Sequence, residues 1–169
     1  TEQRLNRARM DPHFFFNILS SLRAYTLSEK DPIKTADYLT KYSKIMRQSL
    51  ESSYNELITI ETELDFLNSY FEIQKLRYPG KFNYRIEIGD DIDPSELLLP
   101  SMIIQPFVEN AIEHGFKDID HLGDLLVKLE AVGKELKITI KDNGEVANNS
   151  NTQKAYPSRA TQIVKDRLF

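Results

Sequence analysis

No cysteine occurs in the 169 residues, which excludes disulfides and thiolate metal sites and is compatible with a reducing compartment. No uninterrupted apolar run approaches the roughly 20 residues needed to cross a bilayer, and no signal-peptide pattern opens the chain. An excess of positive charge is also missing: a net charge of −4 gives no bulk electrostatic reason to bind nucleic acid or an anionic membrane. What remains is an ordinary 40% hydrophobic and 28% charged composition, which fits a soluble packed globule of one or two small domains. The chain starts at Thr1 and is expected to be a piece of a longer parent.

The first part reads as helices. From Pro12 to about Leu27, the residues Phe14, Phe15, Ile18, Leu19, Leu22 and Tyr25 fall on one side of a helical wheel, and His13, Asn17, Ser20 and Ala24 fall on the other. His13 and Asn17, one turn apart, are thus expected to face outward along a strip of small or polar side chains, with Phe16 and Leu27 to one flank. Pro12 either opens this helix with Asp11 as its N-cap or kinks one that begins near Glu2. Asp31-Pro32 starts a second helix with Tyr38, Leu39, Tyr42, Ile45, Met46 and Leu50 on its apolar face. A hairpin of two such helices has a hydrophobic face and little to bury it against, so pairing with a second copy into a four-helix bundle is expected. A third helix spans about Ile60 to Arg77, with Thr59 as N-cap, and Pro79-Gly80 ends it.

After Gly80 the pattern changes to α/β. Phe82, Tyr84, Ile86 and Ile88 alternate with polar residues as in a strand. Pro100 to Gly115 reads as one helix, Leu125 to Val132 and Leu136 to Asp142 as a hairpin of strands, Glu145 to about Tyr156 as a mobile loop, and Thr161 to Phe169 as the start of a helix. The expected fold class is therefore α+β: a helical part over residues 1–79 and an α/β part over residues 80–169.

Two features of the second part carry possible chemistry. Asn110 and His114 sit one turn apart at the edge of an apolar stripe, within reach of a ligand; the amide of Asn110 is either a solvated rim group or a ligand to a hard cation such as Mg2+. The alternation of Leu136, Ile138 and Ile140 carries Asp142 inward, where it either shapes an Asp-Asn-Gly turn or accepts a hydrogen bond from a ligand, with Gly144 allowing close backbone approach.

Taken in order, His13-Phe14-Phe15-Phe16-Asn17, Gln105-Pro106-Phe107-Val108-Glu109-Asn110-Ala111 and Asp142-Asn143-Gly144 resemble the cytoplasmic catalytic part of LytS-type sensor histidine kinases. In that family the first motif reads Pro-His-Phe-Leu-Phe-Asn and the second Gln-Pro-Leu-Val-Glu-Asn-Ala. The resemblance spans nearly the whole chain, including the segment Glu72 to Tyr78. It implies a homodimeric helical module carrying the phosphorylated histidine, joined to a GHKL-type ATP-binding α/β sandwich. It also implies a membrane-anchored parent of which this is a cytoplasmic portion, with ATP and Mg2+ as cofactors and a response regulator receiver domain as partner. His13 is the implied phosphoacceptor and Asn17 the candidate for orienting a water in dephosphorylation. Asn110 is the implied Mg2+ ligand and Asp142 the acceptor for the adenine amino group, with His114, Gly144 and Arg159 the other candidate nucleotide-binding residues.

The chain departs from the family in one region. A second glycine is missing two residues beyond Gly144, no glycine follows Gly144 at all, and Ser158-Arg159-Ala160-Thr161 stands where a glycine-rich phosphate grip is expected. The ATP lid is accordingly expected to be divergent or truncated. The alternative is a weak or inactive dimerisation and docking module that keeps the kinase fold.

Overall fold

The computed structural model describes residues 12–52, 54, 55, 57–133, 135–144 and 159–167; the side chains of Pro12, His13, Phe14, Ser52 and residues 159–167 lie outside the description. The chain is α+β. Its elements are α1 (Pro12–Glu29), α2 (Pro32–Ser52), β1 (Leu57–Thr59), α3 (Ile60–Arg77), β2 (Phe82–Ile88), β3 (Leu98–Pro100), α4 (Gln105–Asn110), a π turn (Ala111–Gly115), β4 (Gly123–Val132), β5 (Glu135–Asp142) and β6 (Arg159–Arg167). They form two compact units. The first is Thr1–Pro79 with Leu98–Ile103; the second is Gly80–Leu97 with Ile104–Phe169.

In the first unit α3 is the central element. Ten of its residues are buried, among them Leu67, Tyr70, Phe71 and Ile73. Thr59 caps its start, with the Thr62 amide donating to Oγ1 at 3.2 Å, while Glu61 and Glu63 in the first turn and Lys75 and Arg77 in the last complement the helix dipole. The α1–α2 hairpin is more lightly buried. Ile18 and Leu22 of α1 and Ile45 of α2 are in the core, and two edge-to-face ring pairs, Phe15 with Tyr42 at 6.5 Å and Tyr25 with Tyr38 at 5.4 Å, join the helices. Burial pushes the Tyr38 and Tyr42 hydroxyls up from the ordinary tyrosine pKa. The expected apolar stripe is only partly covered: Leu19 and Leu39 remain 46% and 45% exposed and both line a shallow groove. Phe16 and Leu27 stand out, as expected for the flank of α1, at 66% and 64% exposure.

A short antiparallel ribbon, β1 with β3, completes this unit, pairing Ile58 with Leu99. The second unit is a four-stranded sheet in the order β2-β4-β5-β6. The β2–β4 pair is parallel and the other two pairs are antiparallel. Leu125, Val127, Leu129, Leu136, Ile138 and Ile140 on one face, with Ile104, Val108, Ala111, Ile112 and Phe116, are among its buried residues.

Two sequence expectations are corrected. Thr161 to Phe169 does not start a helix: Arg159–Arg167 is a strand, paired along β5. Thr161, Ile163 and Val164 are β-branched and suit a pleated surface, and their pairing satisfies a β5 edge that would otherwise be open. Pro100 to Gly115 is not one helix either. Pro100 ends β3, a turn follows with Met102 at φ 57°, and the helix begins only at Gln105, where Pro106 fits the first turn because its missing amide has no helical partner there.

Because Thr59 holds the first turn of the central helix, Thr59→Ala is expected to lower stability by about 1 kcal/mol. Thr59→Ser should keep most of it, and urea denaturation of the two variants measures the difference.

Candidate functional site

The end of β5 and the end of the π turn meet through their glycines. A methyl group placed on Gly144 would lie 2.6 Å from the carbonyl carbon and oxygen of Gly115 and 2.7 Å from its Cα. No side chain fits there, so Gly144 lets one backbone rest on another. On the other side of the contact, a methyl on Gly115 would stand 3.5 Å from Asp142 Oδ1, 3.7 Å from the Gly144 Cα and 4.0 Å from the Asn110 carbonyl oxygen. Asn110, Gly115, Asp142 and Gly144 therefore surround one point.

Each is positioned by its element. Asp142 is the last residue of β5, in register with Leu125 of β4, and is half-buried on the face that carries Ile138 and Ile140. Its Oδ1 accepts the Gly144 amide hydrogen at 2.9 Å, which closes an Asx turn and leaves Oδ2 for another donor. Both readings of Asp-Asn-Gly, turn and ligand acceptor, are thus compatible in one carboxylate. Asn110 ends α4 with its side chain exposed, and His114 is exposed within the π turn. The Phe116 amide donates to the Ala111 carbonyl at 2.9 Å, the wide i to i+5 bond of a π turn, a feature found often at functional sites.

Two residues that the sequence reading left unassigned hold this turn in place. The Asn143 side chain takes part in the β4 backbone: Oδ1 accepts from the Asp124 amide at 2.7 Å and Nδ2 donates to the Leu122 carbonyl at 3.1 Å. His121 donates from Nε2 to the Asn143 carbonyl at 2.9 Å, which fixes the hydrogen on that nitrogen, while Nδ1 lies 3.4 Å from Asp120. The Asp-Asn-Gly sequence signalled a turn and so pointed at Asn143; nothing in the local pattern around His121 signalled a partner 22 residues away.

The other candidates divide between the units. Arg159 opens β6 directly opposite Asp142 in the β5–β6 register, and its side chain lies outside the described residues. His13 lies in the first turn of α1, in the first unit, with its side chain likewise outside the description. Asn17 is half-buried in α1, and its carbonyl accepts from Ser21 Oγ at 2.9 Å. Among the described residues no three His, Asp or Glu side chains converge as a metal cage, and no helix is long and apolar enough to cross a membrane.

Comparison with known proteins identifies the class. Residues 1–82 match the histidine kinase family model. The sensor protein LytS of Staphylococcus saprophyticus is 35% identical over 140 residues, 82% of this chain and 23% of that protein. The sensor histidine kinase/phosphatase LytS of Staphylococcus aureus is 31% identical over the same shares of both. Among solved structures, the histidine kinase domain of the Erythrobacter litoralis EL346 blue-light activated histidine kinase aligns at 10% identity and a TM-score of 0.44, over 79% of this chain and 72% of that one. The chain belongs to the histidine kinases. It spans about a quarter of the length of the LytS relatives it matches. Within the family it is of the LytS type.

The glycine contact gives a contrast that structure alone dictates. Gly144→Ala forces backbone apart and is expected to cost about 1–3 kcal/mol. Gly115→Ala, whose methyl finds only ordinary contacts at 3.5 Å and beyond, should cost less, and chemical denaturation of the pair tests the order.

Proposed function

We propose that this chain is the catalytic core of a two-component sensor histidine kinase, which autophosphorylates His13 from Mg-ATP and passes the phosphoryl group to an aspartate of a response regulator. The observation that carries the reading is that Asp142 Oδ1, the Gly144 Cα and the Asn110 carbonyl all lie around Gly115 in the second unit, since Asn110, Asp142 and Gly144 are among the residues that the family resemblance assigns to the nucleotide. In this reading residues 1–79 are the dimerisation and phosphoacceptor region and residues 80–169 a GHKL-type ATP-binding domain. Asp142 Oδ2 accepts from the adenine amino group while Gly144 holds Oδ1. The exposed Asn110 amide oxygen contributes a ligand to Mg2+, in keeping with an ion that arrives on substrate phosphates and needs few protein donors. Bound Mg2+ supplies charge neutralisation on the phosphates. His13 attacks the γ-phosphorus through a neutral imidazole nitrogen, ADP leaves, and the receiver aspartate takes the phosphoryl group in turn. Asn17, one turn beyond His13, orients a water for dephosphorylation, which releases inorganic phosphate.

The uncovered apolar residues of the hairpin support the homodimer. Leu19, Leu39, Met46 and Leu50 remain exposed in a single chain, and a second α1–α2 hairpin packed as a four-helix bundle removes them from water. The shares of the LytS relatives left unmatched leave room for a membrane anchor in the parent, with this portion on the cytoplasmic side.

One observation favours the second reading, a docking module with weak or no catalysis. The single glycine after Asp142 is occupied in packing against Gly115, and no later glycine supplies backbone amides for phosphates. Incubation with γ-labelled ATP and Mg2+ separates the two. Label is expected in the wild type, none in His13→Gln, and strongly reduced label in Asp142→Asn, which should bind ATP about tenfold more weakly through loss of a charged acceptor. Equal label in His13→Gln removes that residue from the mechanism, and an intact dimer without saturable ATP binding supports the docking module.

A further inference from the structure

The peptide group between Asn143 and Gly144 is gripped at both ends. Its N–H donates to Asp142 Oδ1 at 2.9 Å, and its carbonyl accepts from His121 Nε2, also at 2.9 Å. A peptide group is planar and trans, so its N–H and C=O point in opposite directions and turn together. By holding the carbonyl, His121 thus orients the N–H that fixes the Asp142 carboxylate. A carbonyl oxygen can only accept, so the hydrogen sits on Nε2, and the bonds run in one sense from imidazole through peptide to carboxylate. Each member of such a series polarises the next.

Both ends of the series are anchored. The Asn143 amide donates to the Asp124 carbonyl at 3.3 Å, which extends the β4–β5 ladder one residue past Asp142. Its side chain accepts from the Asp124 amide at 2.7 Å and donates to the Leu122 carbonyl at 3.1 Å. Every polar group of Asn143 therefore has a partner, and the residue cannot shift without breaking several bonds. His121 lies in the link between the π turn and β4, after the buried Phe116 and Ile119 and next to Leu122. Its ring is partly buried, with Nδ1 3.4 Å from Asp120 Oδ1.

We propose that His121 is a positioning residue for purine selectivity. Without contact to the base, it acts through the peptide between Asn143 and Gly144 to keep Asp142 Oδ1 engaged, so that Oδ2 meets the adenine amino group. This role rests on the nucleotide reading given above. Adenine offers an amino group, from which a carboxylate accepts; hypoxanthine has a carbonyl oxygen at the same place, which offers a carboxylate no hydrogen. A loosened Asp142 therefore loses more with the first base than with the second.

Calorimetric titration of the full chain with the magnesium salts of ATP and inosine triphosphate measures affinity and selectivity together. The wild type is expected to prefer ATP. His121→Leu keeps most of the volume and loses the donor; it should weaken ATP about fivefold and inosine triphosphate less than about twofold. His121→Asn, whose donor falls short of the carbonyl, should do the same, and His121→Gln, whose amide reaches as far as Nε2, should restore most of the preference. With Asp142 already changed to Asn, His121→Leu should add little, as for two residues acting in series. A variant that is merely less stable loses both nucleotides in equal proportion. Wild-type selectivity in folded His121→Leu or His121→Asn, equal losses of both nucleotides, or an undiminished effect beside Asp142→Asn overturns the positioning role and leaves the nucleotide reading standing. Absence of saturable ATP binding in the wild type overturns the nucleotide reading, and this role with it.

Discussion

Two glycines from distant parts of the chain touch backbone to backbone, and the geometry at the end of the sheet depends on that approach. Gly144 has no room for a methyl group against the Gly115 carbonyl. Bringing the strands' end so close places Asp142 Oδ1 beside the end of the π turn and the Asn110 carbonyl near both. The same device operates next along the chain, where a methyl on Gly123 would stand 2.9 Å from the Phe116 ring. Phe116 follows the π turn directly and stacks on Phe82 with centroids 5.8 Å apart. The turn carrying His114 is thus pinned on both sides, by Gly144 at Gly115 and by Gly123 under Phe116. Two of the chain's six glycines, Gly144 and Gly123, serve this one corner by absence of volume. Asn143 and His121 then add polar bonds that fix the strand end against its neighbours.

The helical unit is built on a different principle. Its central helix α3 is buried around most of its circumference, whereas α1 contributes only Ile18 and Leu22 to the core among its described side chains. Few buried apolar contacts mean low local stability, so the segment that carries His13 is the lightly held part of an otherwise firmly packed unit. Ring pairs between α1 and α2 orient the two helices without covering them. The apolar surface left over is a property of the isolated chain, and its position along the hairpin, from Leu19 through Leu39 to Leu50, follows the helical stripe that also places Ile18 and Ile45 inside.

Much of this was legible in the sequence because the signals were local. Thr59 as N-cap, the bounds of α3, β2 and the β4–β5 hairpin, and the exposed flank of Phe16 and Leu27 follow from periodicity and capping chemistry. What was illegible depends on partners remote in sequence. Thr161 to Phe169 has an amphipathic pattern too short to decide its state, and pairing of Arg159–Arg167 along β5 decided it. The return of Leu98–Ile103 to the helical unit is set by pairing with Leu57–Thr59, some forty residues earlier, which no local period reports. Within the site, Asn110, Asp142 and Gly144 were identifiable as motif residues, but that Gly144 is filled by Gly115 and braced through Asn143 and His121 is a matter of tertiary contact alone.

The register of β5 with β6 bears on the place where this chain departs from its family. Asp142 and Arg159 are partners across the two strands, so the chain leaves the sheet and rejoins it at one point, beside the candidate site. Sixteen residues lie between these partners, from 143 to 158. The entropy of closing such a connection grows only slowly with its length, roughly 0.6 kcal/mol for a doubling. Strand pairing fixes both ends, and Asn143 and Gly144 make their own contacts before the rest departs. Loss of glycines from the remainder therefore takes little from the fold. How the second unit folds is thus separate from whether it would hold a triphosphate, as the proposed function requires.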